Sequence, residues 1–102
     1  MQEIESRLGE DMRHLYFLMA TWESLGVLVH RRDIPLELVE DFFSGAIVVS
    51  WRSLRTLVEA DRQLTGRDTA FEWFQWLAER IMEHEKIHPP TPAYLEHAKW
   101  RA

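Results

Sequence analysis

The sequence predicts an all-α domain: an antiparallel three-helix bundle with long first and second helices and a short fourth helix at the C-terminus. Three observations predict it. Apolar residues recur at alternating spacings of three and four through three long segments, the period of a helix with one buried face. Structure-breaking residues gather at only three places, 31–35, 65–69 and 89–92. No segment shows the two-residue alternation of a strand, and the β-branched run Ile47-Val48-Val49 sits inside a long helical period.

The first helix is expected over 2–31. Leu8, Met12, Leu15, Met19, Trp22, Gly26 and Val29 form its seam, and Leu18, Leu25 and Leu28 widen it. A glycine inside a helix costs about 1 kcal/mol relative to alanine. Gly9 marks a frayed start, whereas Gly26 lies on the seam and points to close approach of another helix. The second helix opens at Asp33-Ile34-Pro35, with Asp33 as cap, Pro35 in the first turn and Glu37 at the positive end of the helix dipole. Its seam is Val39, Phe43, Ala46, Ser50, Leu54 and Leu57, broadened by Phe42, Ile47, Val49 and Val58. Gly66 is the natural residue to follow its end near Leu64. Thr69-Ala70-Phe71-Glu72 has the spacing of a capping box and predicts the start of the third helix. Ala70, Trp73 or Phe74, Leu77, Ile81, His84 and His88 make the inward stripe, and Pro89 stops the helix. Thr91-Pro92 then starts a short fourth helix to about Trp100. The short connection at 32–35 makes the first two helices antiparallel neighbours.

At 102 residues and net charge −5, the chain is one domain, 1–102. A compact fold of this mass exposes about 6,100 Å², roughly a third of its unfolded surface, so a real core can form without a staple. The 46% apolar content excludes a disordered chain, and the absence of cysteine excludes disulfides, thiol nucleophiles and cysteine metal sites. The longest uncharged run, Phe42 to Trp51, is half of what a membrane-crossing helix needs. Met1 to Asp11 lacks the apolar region of a targeting peptide. The expected location is therefore cytoplasmic, with no membrane partner. Ten arginines against two lysines point to a GC-rich bacterial genome.

One motif carries chemistry. His84-Glu85-Lys86-Ile87-His88 satisfies H-E-x-x-H, which on a helix puts two imidazoles one turn apart, able to hold Zn²⁺ while Glu85 activates a bound water. Glu96 and His97 are the nearby candidates for a third ligand. Against a hydrolase stand the charged Lys86 inside the motif, Pro89-Pro90 directly after it, and the lack of an edge strand to hold a peptide. The plainer reading extends the Leu77-Ile81 stripe to the wet end of the bundle, with no metal or other cofactor. Ser44, Ser50 and Ser53 lack a paired histidine and acid, and no glycine-rich phosphate loop is present. Arg52, Arg55 and Arg62 sit at related positions on the second helix, but Glu59, Glu40, Asp41, Glu72 and Glu79 can pair with them. At net charge −5, nucleic-acid binding is not expected.

Phe71, Trp73, Phe74 and Trp76 fall within six residues and cannot share one helix face. A single three-helix core shelters one side of them. The other side is either covered by the C-terminal helix, through Tyr94, Leu95 and Trp100, or forms an interaction surface. The expected interface combines Phe71, Trp73 and Trp76 with the small-residue patch Ser44-Gly45. The expected core contains Leu15, Met19, Trp22, Phe43, Ile47, Leu54 and Leu77.

Three stretches occur in order: Trp22-Glu23-Ser24-Leu25-Gly26; Asp41-Phe42-Phe43-Ser44-Gly45-Ala46-Ile47; and Glu72-Trp73-Phe74-Gln75-Trp76-Leu77-Ala78-Glu79-Arg80. Together with Trp51 and Arg55 this pattern resembles a family of small bacterial all-helical domains of unknown function. The resemblance implies the helical architecture and brings no catalytic residue. The sequence thus points to a non-enzymatic protein–protein interaction module, bacterial or phage-encoded, expected to be a homodimer; a phage-encoded inhibitor or regulator of a host system is one version. The competing readings are a metal-dependent hydrolase centred on His84, Glu85 and His88, and a regulatory or nucleic-acid-associated helical subunit.

Overall fold

The computed structural model describes residues 2–102; the side chains at 2–5 and 8, including Leu8 of the expected first seam, lie outside the described residues. Four helices follow in order: α1 (Gln2–His30), α2 (Leu36–Thr65), α3 (Glu72–Ile87) and α4 (Ala93–Glu96). No strand occurs among the described residues. Among the described residues no helix is long and apolar enough to cross a membrane.

The helix ends follow local chemistry. After α1 the Asp33 N–H donates to the Leu28 carbonyl at 3.0 Å and the Arg32 N–H to that of Val29 at 3.0 Å, with Arg32 left-handed at φ 65°. This is a Schellman end carried by an arginine where glycine is usual. Gly66, at φ 69°, closes α2 in the same conformation. Pro35 occupies the position before α2 and donates nothing, and no side chain caps that helix, so Asp33 does not play the capping part expected of it. His88 ends α3 with its N–H on the His84 carbonyl, one residue before Pro89.

The first two helices are less a pair than two walls joined by α3. α3 packs extensively on α1 and also on α2, whereas α1 and α2 meet at few points. Phe74, Leu77, Ala78 and Ile81 of α3 are completely buried, and they meet Met19, Trp22 and Val29 of α1 and Val39, Ile47, Val48, Trp51 and Val58 of α2. Trp51 stands edge-on to Phe74 at 5.3 Å. Trp22 bridges to α2, donating its indole N–H to Ser50 Oγ at 3.2 Å.

This arrangement corrects part of the expected core. Met19, Trp22, Ile47 and Leu77 are buried, and Leu15 and Leu54 are half-buried. Phe43 is 40% exposed. The principal neighbour of α2 is α3, so the buried stripe of α2 rotates onto Ile47, Val48, Trp51 and Val58. That leaves Phe43 at its edge, against the ring of Trp22 at 5.4 Å. On α3 the inward aromatic is Phe74 rather than Trp73, and His88 is exposed. α4 is a single turn instead of a helix to Trp100, and Tyr94, Leu95 and Trp100 are all well exposed, so the C-terminal segment does not cover α3.

The molecule is long and thin, 55 × 31 × 24 Å, with a radius of gyration of 16.6 Å; a compact chain of this length has about 13 Å. Urea unfolding should rank the aromatic positions accordingly. Phe74→Ala is expected to cost about 3–5 kcal/mol, and Phe43→Ala clearly less. Equal costs would place Phe43 back in the core.

Candidate functional site

The start of α3 is built by residues from the other two helices. Glu72 is its first residue, preceded by Phe71 in the left-handed region at φ 54°, and no side chain of the local segment caps it. The expected Thr69–Glu72 capping box therefore does not form. Residues 67–70 instead make a turn, closed by the Ala70 N–H on the Arg67 carbonyl. Arg62 of α2 straps that turn, donating Nε–H to the Ala70 carbonyl at 2.9 Å and a terminal N–H to Gln75 Oε1 at 2.8 Å. The missing cap comes from α1: Glu23 Oε1 accepts the Phe74 N–H at 2.7 Å. The helix dipole favours a carboxylate at that end.

One turn along α1 from Glu23, Gly26 touches the same segment. A Cβ at Gly26 would stand 2.3 Å from the Trp73 carbonyl oxygen, so only glycine admits the α3 backbone here. The close approach expected from the position of Gly26 on the α1 seam is thus present. It also accounts for the aromatic run. Trp73 and Trp76 pack on His30 of α1 at 4.5 and 5.6 Å, and Phe71 lies beside Tyr16 at 6.1 Å. All three are half-buried within the chain. The surface expected from Phe71, Trp73, Trp76, Ser44 and Gly45 is therefore divided. The aromatic side of α3 is spent largely on α1, while Gly45 on α2 faces open space. Sequence reasoning missed Glu23 as a functional cap, because nothing local links it to a helix start 51 residues later.

Burial raises the Glu23 pKa above the ordinary carboxylate range; the Phe74 and Trp73 amides oppose the shift, Glu72 adds to it and Arg62 offsets it.

The H-E-x-x-H residues are close but not convergent. His84 Nδ1 lies 2.8 Å from both carboxylate oxygens of Glu40 on α2. Its ring is 5.2 Å from that of His88. Glu96 and His97 are exposed on and just after α4, paired loosely with each other at 4.0 Å. Among the described residues no group of three or more His, Asp or Glu converges on a point that could hold a metal ion. The arginines of α2 are mostly engaged: Arg55 with Glu59 at 2.8 Å and Arg62 in the strap, leaving Arg52 exposed. Glu40, offered by the sequence as an arginine partner, is on His84.

An open cleft of about 860 Å³ lies where the end of α1, the 31–35 connection and the second half of α3 meet. Val29, Ile34, Leu36 and Trp76 supply apolar walls, with Arg32 and Arg80 balanced by Glu37 and Glu83. Glu83 Oε2 is 2.9 Å from Arg80 Nε, but off the line of its N–H, which meets no acceptor. His84 also lines the cleft, with its Nδ1 turned to Glu40, and the apolar walls suit an apolar side chain. The larger feature is apolar surface elsewhere: Phe17, Phe42, Val49 and Leu64 are each more than 60% exposed.

A family model described as a domain of unknown function (DUF4760) matches residues 2–81. The matched span holds the α1–α3 junction and ends before His84. No curated protein and no solved structure matches the chain.

Two measurements follow from this geometry. Glu23→Ala, which strips the α3 start of its acceptor, should cost about 1–2 kcal/mol. Glu23→Gln keeps an acceptor and removes the cost of ionising a half-buried acid. A raised folded pKa means the folded chain holds the proton to higher pH, so Glu23 subtracts stability as pH rises from roughly 4 through its folded value. The stability of Glu23→Gln relative to wild type should therefore climb over that interval and then level; a flat difference would remove the burial argument. For the second, calorimetric titration with Zn²⁺ should show no tight one-to-one site, and a chelator should leave the melting temperature unchanged. Stoichiometric zinc with peptidase activity lost in Glu85→Gln would establish the hydrolase.

Proposed function

The chain belongs to the DUF4760 family of unknown function, and from that premise we propose that it is a non-enzymatic protein–protein interaction module that works as a homodimer. The observation that carries this is the surface. The chain exposes 8069 Å², about 2,000 Å² more than a compact chain of its mass. That surface includes Phe17, Leu28, Leu38, Phe42 and Val49, apolar side chains exposed at helical spacing, and monomers rarely leave large contiguous apolar surface uncovered.

The reading takes the three long helices as an antiparallel bundle. The order of contacts supports this: Tyr16 meets Asp61 and Trp22 meets Ser50, while Glu40 meets His84 and Arg62 meets Gln75. It places the protein in the cytoplasm of a bacterium, or in a cell infected by its phage. An inhibitor or regulator of a host system fits the small, acidic, helical chain. Engaged arginines and the net charge of −5 disfavour a nucleic-acid partner.

Sedimentation velocity from about 1 to about 100 μM should give a dimer, the range in which ordinary homodimers are populated. A monomer throughout would refute this assembly.

A further inference from the structure

Resting on the dimer reading, we propose that the second copy docks on the face of the α1–α2 pair opposite α3, through two uncharged stripes of equal length. On α1 the stripe is Phe17, Thr21, Ser24 and Leu28; on α2 it is Leu38, Phe42, Gly45 and Val49. Both run at spacings of four, three and four, the spacing of a helix–helix seam. Each covers about 17 Å of helix.

The placement follows from the contacts of each helix. α1 spends Glu23, Gly26 and His30 on α3 and Trp22 on α2. Helical geometry then turns Thr21 and Leu28 away from α3, with Phe17 beside them. α2 spends Trp51 and Arg62 on α3 and Phe43 and Ser50 on α1. The same geometry turns Phe42 and Val49 away from α3. Phe17 is 76% exposed, Phe42 69% and Val49 61%. None of these is needed to cover the core of a single chain.

Three features suit this face to a copy of itself. First, it holds no charge: the ten uncharged residues Phe42–Trp51 make α2 apolar on both its inner and its outer side. A charged partner would find no complement there, and a second copy meets no repulsion. Second, small residues sit between the large ones. Gly45 has open space where a Cβ would stand, and Thr21 and Ser24 lie between Phe17 and Leu28 on α1. The large residues of one copy can seat against the small ones of the other. Third, the two hydroxyls are already satisfied. Thr21 Oγ1 donates to the Phe17 carbonyl at 3.0 Å and Ser24 Oγ to that of Ala20 at 2.9 Å. They can be dried without leaving a donor unpaired, which is what makes burial of a polar group costly.

A standard interface buries about 800 Å² on each partner, and Phe17, Leu28, Leu38, Phe42 and Val49, all exposed in the single chain, are the apolar side chains this face brings to it. Pairing two thin chains across this face gives four helices around a second core, with the two α3 helices on the outside.

The test is the assembly state of Phe42→Glu and Val49→Glu by sedimentation, with circular dichroism and melting on the same samples. Both side chains are exposed in the single chain, so the helices should persist while dimer dissociation rises at least about 100-fold, a charge being placed in a desolvated contact. If either variant loses its helical signal, Gly45→Arg decides, because it improves helix propensity while filling the open space at that position. Folded variants that remain dimeric overturn this face and leave the dimer itself standing. A wild-type chain that stays monomeric overturns both.

Discussion

The close approach of α3 to α1 at Gly26 is the constraint on which the rest of the structure hangs. The Trp73 carbonyl occupies the space a Cβ would need. Glu23, one turn earlier, can then reach the first amides of α3. With α3 fixed there, Trp73 and Trp76 fall on His30, and Phe74 is driven inward against Trp51. The opposite side of α3 is held by Arg62, which engages both the turn before the helix and its first turn. Phe71 is kept in a left-handed conformation between these two anchors, at a cost of about 1–2 kcal/mol for a side-chain-bearing residue. The helix therefore starts where tertiary contacts put it, against the preference of its own sequence.

That history explains what was legible beforehand. Helix existence was plain, because a 3.6-residue period sustained over 29 and 30 residues has few competing explanations. Gly66 and Pro89 marked helix ends through their own backbone chemistry. Gly26 announced a close contact because a glycine on a buried seam lowers stability unless something needs the room. The rotation of each helix about its axis was harder to read. Phe42 and Phe43 are neighbours of equal size, and only the identity of the principal partner decides which turns inward. Since α3 rather than α1 takes the inner face of α2, Phe43 moves to the edge. The start of α3 failed for a related reason: Thr69 and Glu72 have the right spacing, but the turn strapped by Arg62 consumes those residues first.

The polar constellations show the same dependence on distant partners. His84 reads locally as half of a metal motif, yet its Nδ1 side faces Glu40, 44 residues earlier. Arg55 and Arg62 read as a basic stripe, yet one is paired with Glu59 and the other is a strap. The apolar stretch Phe42–Trp51 is the reverse case. Its lack of charge is visible in the sequence, but only the fold shows that one side of it has no neighbour.

The sparse contact between α1 and α2 has a consequence for how the chain is made. Synthesis delivers these two helices first, and until residues 72–87 emerge they have little to hold them to one another. Before α3 is made, α1 and α2 would stand as two long amphipathic helices with their apolar sides open, a species prone to sticking to other chains. Cooperative structure arrives only when the third helix slides between them. The N-terminal two-thirds thus wait on the C-terminal third, and the order of translation opposes the order in which the parts can become stable.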